Sequence, residues 1–261
     1  MKILSPKTVK NIHGCLSSAL RQAQQIRYIK DNPAAGCKLP KRDDESSIET
    51  IKPLDAQEIK AFMDAIKEHP YERIFLFALN SGLRLSEILG LQWARINFQS
   101  GEIVIDRQLA LVRRAGDPRR ITPTKTRNKR TIIAPRSILD LLQAQRKQQN
   151  WWRLAAGSAW SNPDNLVFTD EIGNSISHYS IEHQFRRLAD NAGLSKHRFH
   201  DLRHTFAVEM LRAGTDIETI SKWLGHYDPG FTLSVYADMT PDMRQAAADR
   251  LQEIIEKRKQ A

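Results

Sequence analysis

The stretch SGLRLSEILGLQW, residues 81–93, joins two predicted helices and places charged side chains where they meet. The pair Ser81-Gly82 breaks a helix predicted from 72 to about 80, and a new helix begins directly after this break. Arg84 therefore lies at a helix N-terminus, with Glu87 three positions later on the same face. Backbone N–H groups and the arginine together form a candidate anion site. A surface ion pair without a binding role is the alternative.

Two segments precede this stretch. PLDAQEIKAFMDAI opens the main domain, where Asp55 is the predicted N-cap and Glu58, three positions on, completes a capping box. Further upstream, residues 5 to about 29 predict an amphipathic helix, and the charged segment 38–50 is typical of a linker. Because one helix cannot bury its own apolar stripe, we expect this piece to be the end of a helical domain or to dock elsewhere.

Strand-forming segments follow the quoted stretch. GEIVIDRQLALV predicts one strand, and RRITPTKTRNKRTIIAP predicts two short strands around a polar turn at 126–128. Amphipathic helices then return, at 137 to about 150, 177–192, 200–213 and from an N-cap at Thr215 to Gly225. The predicted fold class is mainly α with a small three-stranded antiparallel β-sheet.

Charge is the strongest compositional signal in the 261-residue chain, which carries 40 Lys and Arg against 30 Asp and Glu, a net charge of +10. Nine of the basic residues, but only one acid, Asp117, fall between positions 107 and 130. This clustering predicts a nucleic-acid partner rather than evenly spread solubility charge. The candidate DNA contacts are Arg113, Arg114, Arg119, Arg120, Arg127, Lys129 and Arg130.

The composition argues against several other classes. The longest apolar run, residues 74–79, is too short to span a membrane, and residues 1–10 are not followed by the apolar region of a signal peptide. The two cysteines, Cys15 and Cys37, indicate a reducing compartment such as the cytoplasm. They are also too few for a cysteine-rich metal site.

HRFHDLRHTF concentrates titratable side chains at the start of a predicted helix. His200 and Arg203 are three positions apart and share one face. Residues 200–204, HDLRH, also imitate the H-E-x-x-H spacing of zinc proteases. However, Asp201 is one methylene shorter than the required glutamate, and the charge of Arg203 opposes a bound cation. We therefore expect no metal here and a structural role for His204.

LGHYDPGFTLSVY, residues 224–236, offers one histidine and two tyrosines. Gly225 is predicted to end a helix, so His226 lies just past a helix C-terminus. A tyrosine phenol has an unperturbed pKa of about 10 and needs cationic neighbours or a base to act as a nucleophile at neutral pH. The stretch alone leaves open whether Tyr227 or Tyr236 is reactive, or whether both are core residues.

Together these side chains suit chemistry on a phosphodiester. A metal-free reaction at phosphorus needs cations on the nonbridging oxygens, a nucleophile in line and an acid for the leaving alkoxide. Two arginines, two histidines, a lysine from the basic segment and a tyrosine meet these needs. Arginine suits the phosphate because its planar fork donates two hydrogen bonds at once.

This combination and its chain order resemble the tyrosine recombinase family, also called the phage integrase family, from about residue 54 to 239. The family order is arginine, hairpin lysine, H-x-x-R, histidine or tryptophan, then tyrosine. SGLRLSEILGLQW, TPTKTRNKRTIIAP, HRFHDLRHTFA and WLGHYDPGFTLSVYADM match it in sequence. The resemblance implies the catalytic-domain fold of that family and the catalytic residues Arg84, Lys125, His200, Arg203, His226 and Tyr236, with Glu87 orienting the arginine helix.

The resemblance also implies a reaction. Tyr236 would attack a DNA phosphorus, forming a 3′-phosphotyrosyl bond and releasing a 5′-hydroxyl without metal, ATP or another cofactor. Arg84 and Arg203 would hold the nonbridging oxygens, Lys125 would protonate the leaving oxygen, and the two histidines would assist proton transfer and bind the phosphate. A 5′-hydroxyl from a second duplex would reverse the step, so that strands are exchanged between sites.

A division of the chain and a set of partners follow from the same resemblance. Residues 1–45 would be a remnant of a helical core-binding domain, its last helix and linker, and residues 46–261 the catalytic domain with a C-terminal helix. Family members act on double-stranded DNA as tetramers, with the segment after the tyrosine packed on a neighbouring subunit. We expect a cytoplasmic protein of a prokaryotic cell or a phage, encoded by a mobile genetic element.

Two rival functions fit the same residues. A type IB topoisomerase uses related chemistry but relaxes supercoils alone, without exchange between sites. A DNA-binding module with a shortened front end would bind without turnover. Assays of plasmid relaxation and of recombination between two sites, run side by side, distinguish a topoisomerase from a recombinase. DNA binding without formation of a covalent adduct identifies a DNA-binding module.

Overall fold

The computed structural model describes residues 4–40, 53–110, 120–124, 129–225 and 252, and divides the chain into two compact units, Met1–Ile51 and Lys52–Ala261. The described helices are α1 (Pro6–Gln25), α2 (Ala56–Ile66), α3 (Glu72–Ser81), α4 (Leu85–Leu89), α5 (Arg136–Ala156), α6 (His178–Asn191), α7 (Asp201–Arg212) and α8 (Ile217–Leu224). The strands are β1 (Glu102–Ile105), β2 (Arg107–Leu109), β3 (Ile121–Pro123) and β4 (Arg130–Ile133). Within this part of the chain, no helix has both the length and the apolar character needed to cross a membrane.

The first unit contains α1, whose start follows from the sequence. The Ser5 side chain accepts the backbone N–H of Thr8, and Pro6 occupies the first turn, where its missing N–H leaves no bond unmade. α1 ends earlier than predicted and buries none of its residues. The segment after it folds back, since the Asn32 side chain donates to the Ser17 carbonyl oxygen at 3.1 Å.

The second unit is built around α3. Six of its ten residues are buried, and it packs against α2, α5 and α7. Four phenylalanine rings of the surrounding core have neighbouring centroids 5.4–6.3 Å apart: Phe62, Phe75, Phe185 and Phe199. Burying a side chain of this kind stabilises a fold by about 1.5–3 kcal/mol. The core therefore fixes α3 and also the end of this helix, after which Arg84 lies at the start of α4.

The helix starts agree with prediction at α2 and differ at α8. The capping box of α2 is confirmed, because Asp55 and Glu58 each accept the backbone N–H of the other, at 2.8 and 3.0 Å. At α8, Asp216 rather than the predicted Thr215 is the N-cap, and its carboxylate accepts the N–H of Thr219 at 2.8 Å. Both residue types cap helices, and sequence alone does not rank two adjacent candidates.

The mainly helical class with small antiparallel sheets is confirmed, but the strands differ from the predicted three-stranded sheet. β1 pairs with β4 and β2 pairs with β3, giving two antiparallel ladders of two strands. The segment predicted as one strand is interrupted at Asp106, whose carbonyl oxygen accepts the N–H of Thr124 at 3.2 Å. The two strands on either side of 126–128, β3 and β4, pair with β2 and β1 rather than with each other.

Gly82 ends α3 in the left-handed backbone conformation, with φ of 63°. A Cβ at this position would lie 2.4 Å from Cδ1 of Phe206 and 2.8 Å from Cδ2 of Leu224, so glycine alone fits. Phe206 belongs to α7 and Leu224 to α8. The glycine thus allows the end of α3 to pack closely against α7 and the end of α8.

Candidate active site

Arg84 lies at the N-terminus of α4, two residues after Gly82. Its backbone N–H donates to Oε2 of Glu87 and its Nη1 donates to Oε1, each at 3.0 Å. Nη2 donates to the carbonyl oxygen of Gly225 at 3.2 Å. The side chain remains 38% exposed. The predicted contact between Arg84 and Glu87 is therefore present, and the guanidinium is held by the protein while part of it faces solvent.

Glu87 is buried and binds a second arginine that the sequence did not connect to it. Nη1 and Nη2 of Arg130, on β4, donate to its two carboxylate oxygens at 3.0 and 2.7 Å. Burial acts to raise the pKa of Glu87, but the hydrogen bonds and charge of Arg130, with the charges of Arg84 and Arg203, outweigh it and lower this pKa from 4.5 to about 2. Glu87 is therefore ionised at neutral pH.

Arg203, the arginine of the H-x-x-R sequence, lies in the first turn of α7 and is only 3% exposed. Its Nη1 donates to the carbonyl oxygen of Gly82, and its Nη2 to that of Leu224, both at 2.8 Å. A buried charge needs such partners, because its transfer out of water is costly. Arg203 therefore joins the C-terminal ends of α3 and α8.

The end of α8 is held by all three of these arginines. The carbonyl oxygen of Trp223 accepts a hydrogen bond from Nε of Arg130 at 2.7 Å. The next two carbonyl oxygens, of Leu224 and Gly225, accept from Arg203 at 2.8 Å and from Arg84 at 3.2 Å, respectively. Such carbonyls have no helical partners and carry the partial negative charge of a helix C-terminus. The chain therefore leaves α8 from a fixed position directly before His226.

The cluster of three guanidinium groups around one carboxylate carries more positive than negative charge. Arg84 is its most exposed member, with a side chain 38% exposed against 11% for Arg130. Fixed positive charge at a partly exposed position attracts an anion, and a guanidinium donates two parallel hydrogen bonds to a phosphate. The arrangement is thus chemically suited to binding a phosphate group.

His200 directly precedes α7, and its ring packs edge-to-face on that of His204, with centroids 4.9 Å apart. The residue is accessible to solvent, yet nearby protein atoms displace much of the water around the ring. This desolvation, followed by the influence of His204 and Arg203, lowers the pKa of His200 from 6.5 to about 4. The imidazole is therefore neutral at neutral pH and is able to accept a proton.

Asp201 has a structural environment rather than that of a metalloprotease base. Its Oδ2 accepts the backbone N–H of Arg198 at 2.7 Å, and its Oδ1 lies 3.5 Å from Nη2 of Arg198. Thr205 donates to the Asp201 carbonyl oxygen at 2.8 Å and accepts the N–H of Leu54 at 2.9 Å. These bonds join the start of α7 to the segment before α2. Across the described ranges, no group of three or more His, Cys, Asp or Glu residues is placed to hold a metal.

The structure brings Arg84, Arg203 and His200 into one region, since both arginines influence the charge state of the histidine. The other predicted catalytic residues lie outside the described residues: Lys125, His226 and Tyr236. His226 nonetheless follows Gly225, whose carbonyl oxygen is bound to Arg84. The described part of the site therefore ends one residue before the next predicted catalytic position.

The described residues on the two sides of Lys125 belong to different ladders. Asp106 alone separates β1 from β2, whereas residues 124–129 separate β3 from β4. Ile105 pairs with Arg130 and Arg107 with Pro123, so Asp106 lies between the two ladders. Asp106 binds the Thr124 N–H through its carbonyl oxygen and Arg95 through its carboxylate, at 3.2 and 3.0 Å. Thr124, the described residue directly before Lys125, is therefore bound to the sheet.

The candidate DNA contacts separate into different environments. Arg120 and Lys129 are exposed, but Arg130 is directed into the protein and bound to Glu87. The others lie outside the described residues: Arg113, Arg114, Arg119 and Arg127. Sequence reasoning missed the position of Arg130 because 43 residues separate it from Glu87 and no local periodicity relates them.

The sequence matches a family model and curated proteins over most of its length. The profile of the phage integrase family matches residues 52–243. A protein named tyrosine recombinase XerC-like from Caldanaerobacter subterraneus subsp. tengcongensis is 31% identical over 96% of this chain and 67% of its own length. An integrase from Streptomyces ambofaciens is 27% identical over 94% of this chain and 63% of its own length. The chain thus spans about two thirds of these curated relatives.

Solved structures share the fold. The Tn1549 transposon integrase, in complex with a circular intermediate DNA, has a TM-score of 0.73 at 24% identity, covering 95% of this chain and 80% of that one. A lambda integrase dimer bound to a core site has a TM-score of 0.65 at 18% identity, covering 90% of this chain and 75% of that one. Both likenesses extend over nearly all of the present chain.

Proposed function

The chain belongs to the phage integrase family of tyrosine recombinases, and from this premise we propose that it is a site-specific DNA recombinase. The observation that carries the proposal is the arginine cluster. Arg84 and Arg203 come from different parts of the chain, meet at the end of α8 and lie near a neutral His200. A phosphodiester is the chemical group that this combination suits best.

In the proposed reaction, the phenolic oxygen of Tyr236 attacks a DNA phosphorus while the bond from phosphorus to the 5′ oxygen breaks. His200 accepts the phenolic proton, which its lowered pKa allows because the ring is neutral. Lys125 donates a proton to the departing 5′ oxygen. The 3′-phosphotyrosyl bond keeps the phosphodiester activated, so a second 5′-hydroxyl reverses the step.

The cations act on the transition state in this scheme. Arg84 and Arg203 hold the nonbridging oxygens, and His226 donates a hydrogen bond to the same phosphate. Glu87 keeps Arg84 oriented through the two bonds described above. Loss of one such preorganised group commonly costs about 10²–10³ in rate.

We also propose double-stranded DNA as the partner and a tetramer on DNA as the active assembly, with the segment from about 241 to 258 packing on a neighbouring subunit. Exposed Arg120 and Lys129 supply phosphate contacts. Residues 1–45 would be the last helix and linker of a core-binding domain, and 46–261 the catalytic domain. A cytoplasmic location accords with Cys15 and Cys37, which are both free and exposed.

The test is a nicked duplex from which the short 5′-hydroxyl fragment diffuses away, so that a covalent protein–DNA adduct accumulates. We expect the wild-type protein to form this adduct, also in EDTA, and Tyr236→Phe to form none. An adduct made by Tyr236→Phe would overturn the assignment of the nucleophile, and loss of wild-type adduct in EDTA would overturn the metal-free mechanism. The family match and the integrase structures do not favour the topoisomerase alternative.

A further inference from the structure

We infer that Arg130 is a positioning residue for Arg84, acting through Glu87 and the end of α8, and that it is not a DNA contact. This inference rests on the proposed function, because its effect is on the cleavage step. It replaces the phosphate-binding role that the basic segment predicted for this residue.

The donors of Arg130 are directed to protein atoms. Nη1 and Nη2 bind the two oxygens of Glu87, and Nε binds the carbonyl oxygen of Trp223 at 2.7 Å. Its side chain is 11% exposed, and the carboxylate that it binds is 2% exposed. A phosphate outside the protein would have to displace a buried carboxylate to reach this guanidinium. Direct DNA binding by Arg130 is therefore disfavoured by its surroundings.

The Arg84 side chain binds Glu87 and the backbone of Gly225, and both of these residues are also neighbours of Arg130. Nη1 of each arginine binds the same oxygen, Oε1 of Glu87, at 3.0 Å. The second partner of Arg84, Gly225, lies so close to Arg130 that a Cβ on this glycine would be 2.9 Å from Nη1. Arg130 therefore fixes the carboxylate on one side of Arg84 and the helix end on the other.

Removal of Arg130 has a specific expected consequence. Glu87 would lose two hydrogen bonds and keep those from Arg84, so its carboxylate would turn toward that arginine. The end of α8 would lose the bond at Trp223. Arg84 would still be charged and partly exposed but no longer held in one orientation. Misplacement of a reacting or binding group by about 1 Å is enough to slow a reaction about 100-fold.

The first measurement compares Arg130→Met with the control variant Arg136→Met. In the wild-type protein, Arg136 is bound to Asp140 at 3.0 Å and its side chain is 82% exposed. On the nicked duplex, we expect Arg130→Met to bind DNA within about twofold of wild type and to cleave about 10- to 100-fold more slowly. Arg136→Met should match wild type in both. A weakened DNA affinity that accounts for the whole loss of cleavage would overturn the inference in favour of a DNA contact.

A second measurement separates positioning of Arg84 from general loosening of the fold. Replacing one nonbridging oxygen of the scissile phosphate by a methyl group removes the negative charge that an arginine would neutralise. The defects of Arg84→Ala and Arg130→Met should then shrink together, and the double variant should cleave no more slowly than Arg84→Ala alone. Independent, multiplicative defects, or a defect of Arg130→Met that persists on the methylated substrate, would contradict the inference.

A third variant guards against failure to fold. Arg130→Lys keeps the charge but not the planar fork, so we expect it to remain folded and still to cleave at least about 10-fold more slowly. Cleavage by Arg130→Lys at the wild-type rate would overturn the positioning role, whatever Arg130→Met does. Absence of adduct from the wild-type protein would instead refute the proposed function, so the two failures are distinguishable.

Discussion

Two arginine–carboxylate pairs in the second unit have similar distances between their charged atoms and very different surroundings. Arg130 approaches Glu87 to 2.7 Å, with side chains 11% and 2% exposed. Arg136 approaches Asp140 to 3.0 Å on the surface of α5, with side chains 82% and 54% exposed. The distance between charged atoms does not distinguish them. The two pairs differ in their access to water: when one charged side chain is removed, water can solvate the remaining charge of the exposed pair but not that of the buried pair.

This difference has an energetic consequence. Exposed pairs contribute about 0–1 kcal/mol, because water and salt screen the charges and the side chains lose freedom when they pair. Removing one member of a buried pair costs about 3–5 kcal/mol, since the other charge stays in a poorly solvated place. Glu87 compensates several arginines at once, so it should be the most sensitive single position of the candidate site.

The largest expected effect is that of Glu87→Gln, which removes a buried negative charge and keeps the shape. We expect this variant to lose about 3–5 kcal/mol of unfolding free energy at neutral pH. Its matched control, Asp140→Asn, should change by no more than about 0.5 kcal/mol. Urea denaturation measures both. Similar losses in the two variants would remove the distinction between the buried and exposed pairs.

The second prediction concerns acid. The pKa of Glu87 is lowered from 4.5 in an unfolded chain to about 2, so its contribution to stability is fully present above pH 4.5 and is lost as the pH falls toward 2. The difference between wild type and Glu87→Gln should therefore narrow by about 3 kcal/mol over this range. The pKa of Glu58 is also lowered to about 2, chiefly by its hydrogen bond from Lys196. Because Glu58 is present in both proteins, the difference in stability between wild type and Glu87→Gln isolates the contribution of Glu87. A difference that stays constant from pH 5 to 2 would contradict this prediction.

The smallest of the three expected effects is the difference in stability loss between alanine variants of two glycines with positive φ. Gly82 has φ of 63° and Phe206 and Leu224 within 3 Å of a built Cβ, whereas Gly193 has φ of 73° and nothing within 4 Å. Gly193→Ala should cost about 1 kcal/mol through backbone strain alone, and Gly82→Ala about 2 kcal/mol more because of the added overlap. Thermal unfolding of the two variants tests this. Equal shifts in melting temperature would mean that α7 and α8 move aside without cost.

The parts of the site that are set by local spacing could be predicted from the sequence. Arg84 and Glu87 are three positions apart, and the Asp55–Glu58 capping box has the same spacing, so helical geometry alone relates each pair. The mainly helical class followed from periodicity and from the resemblance of the ordered motifs to a known family.

The parts that sequence analysis missed depend on pairing between distant segments. Arg130 reaches Glu87 only because β4 pairs with β1 and contacts α8, and a one-residue change of register would point it elsewhere. Strand order was also missed, because two short strands with a polar turn between them look like a hairpin whether or not they pair. The roles proposed for Lys125, His226 and Tyr236 remain predictions from the family order.

The attachment of α8 to the arginine cluster sets a length scale for the proposed nucleophile. Tyr236 lies eleven positions after Gly225. Because a chain extends by at most about 3.6 Å per residue, the tyrosine stays within about 40 Å of that glycine along any path. Because the carbonyl oxygen of that glycine accepts from Arg84, the proposed nucleophile stays within this distance of the side chain proposed to bind the phosphate.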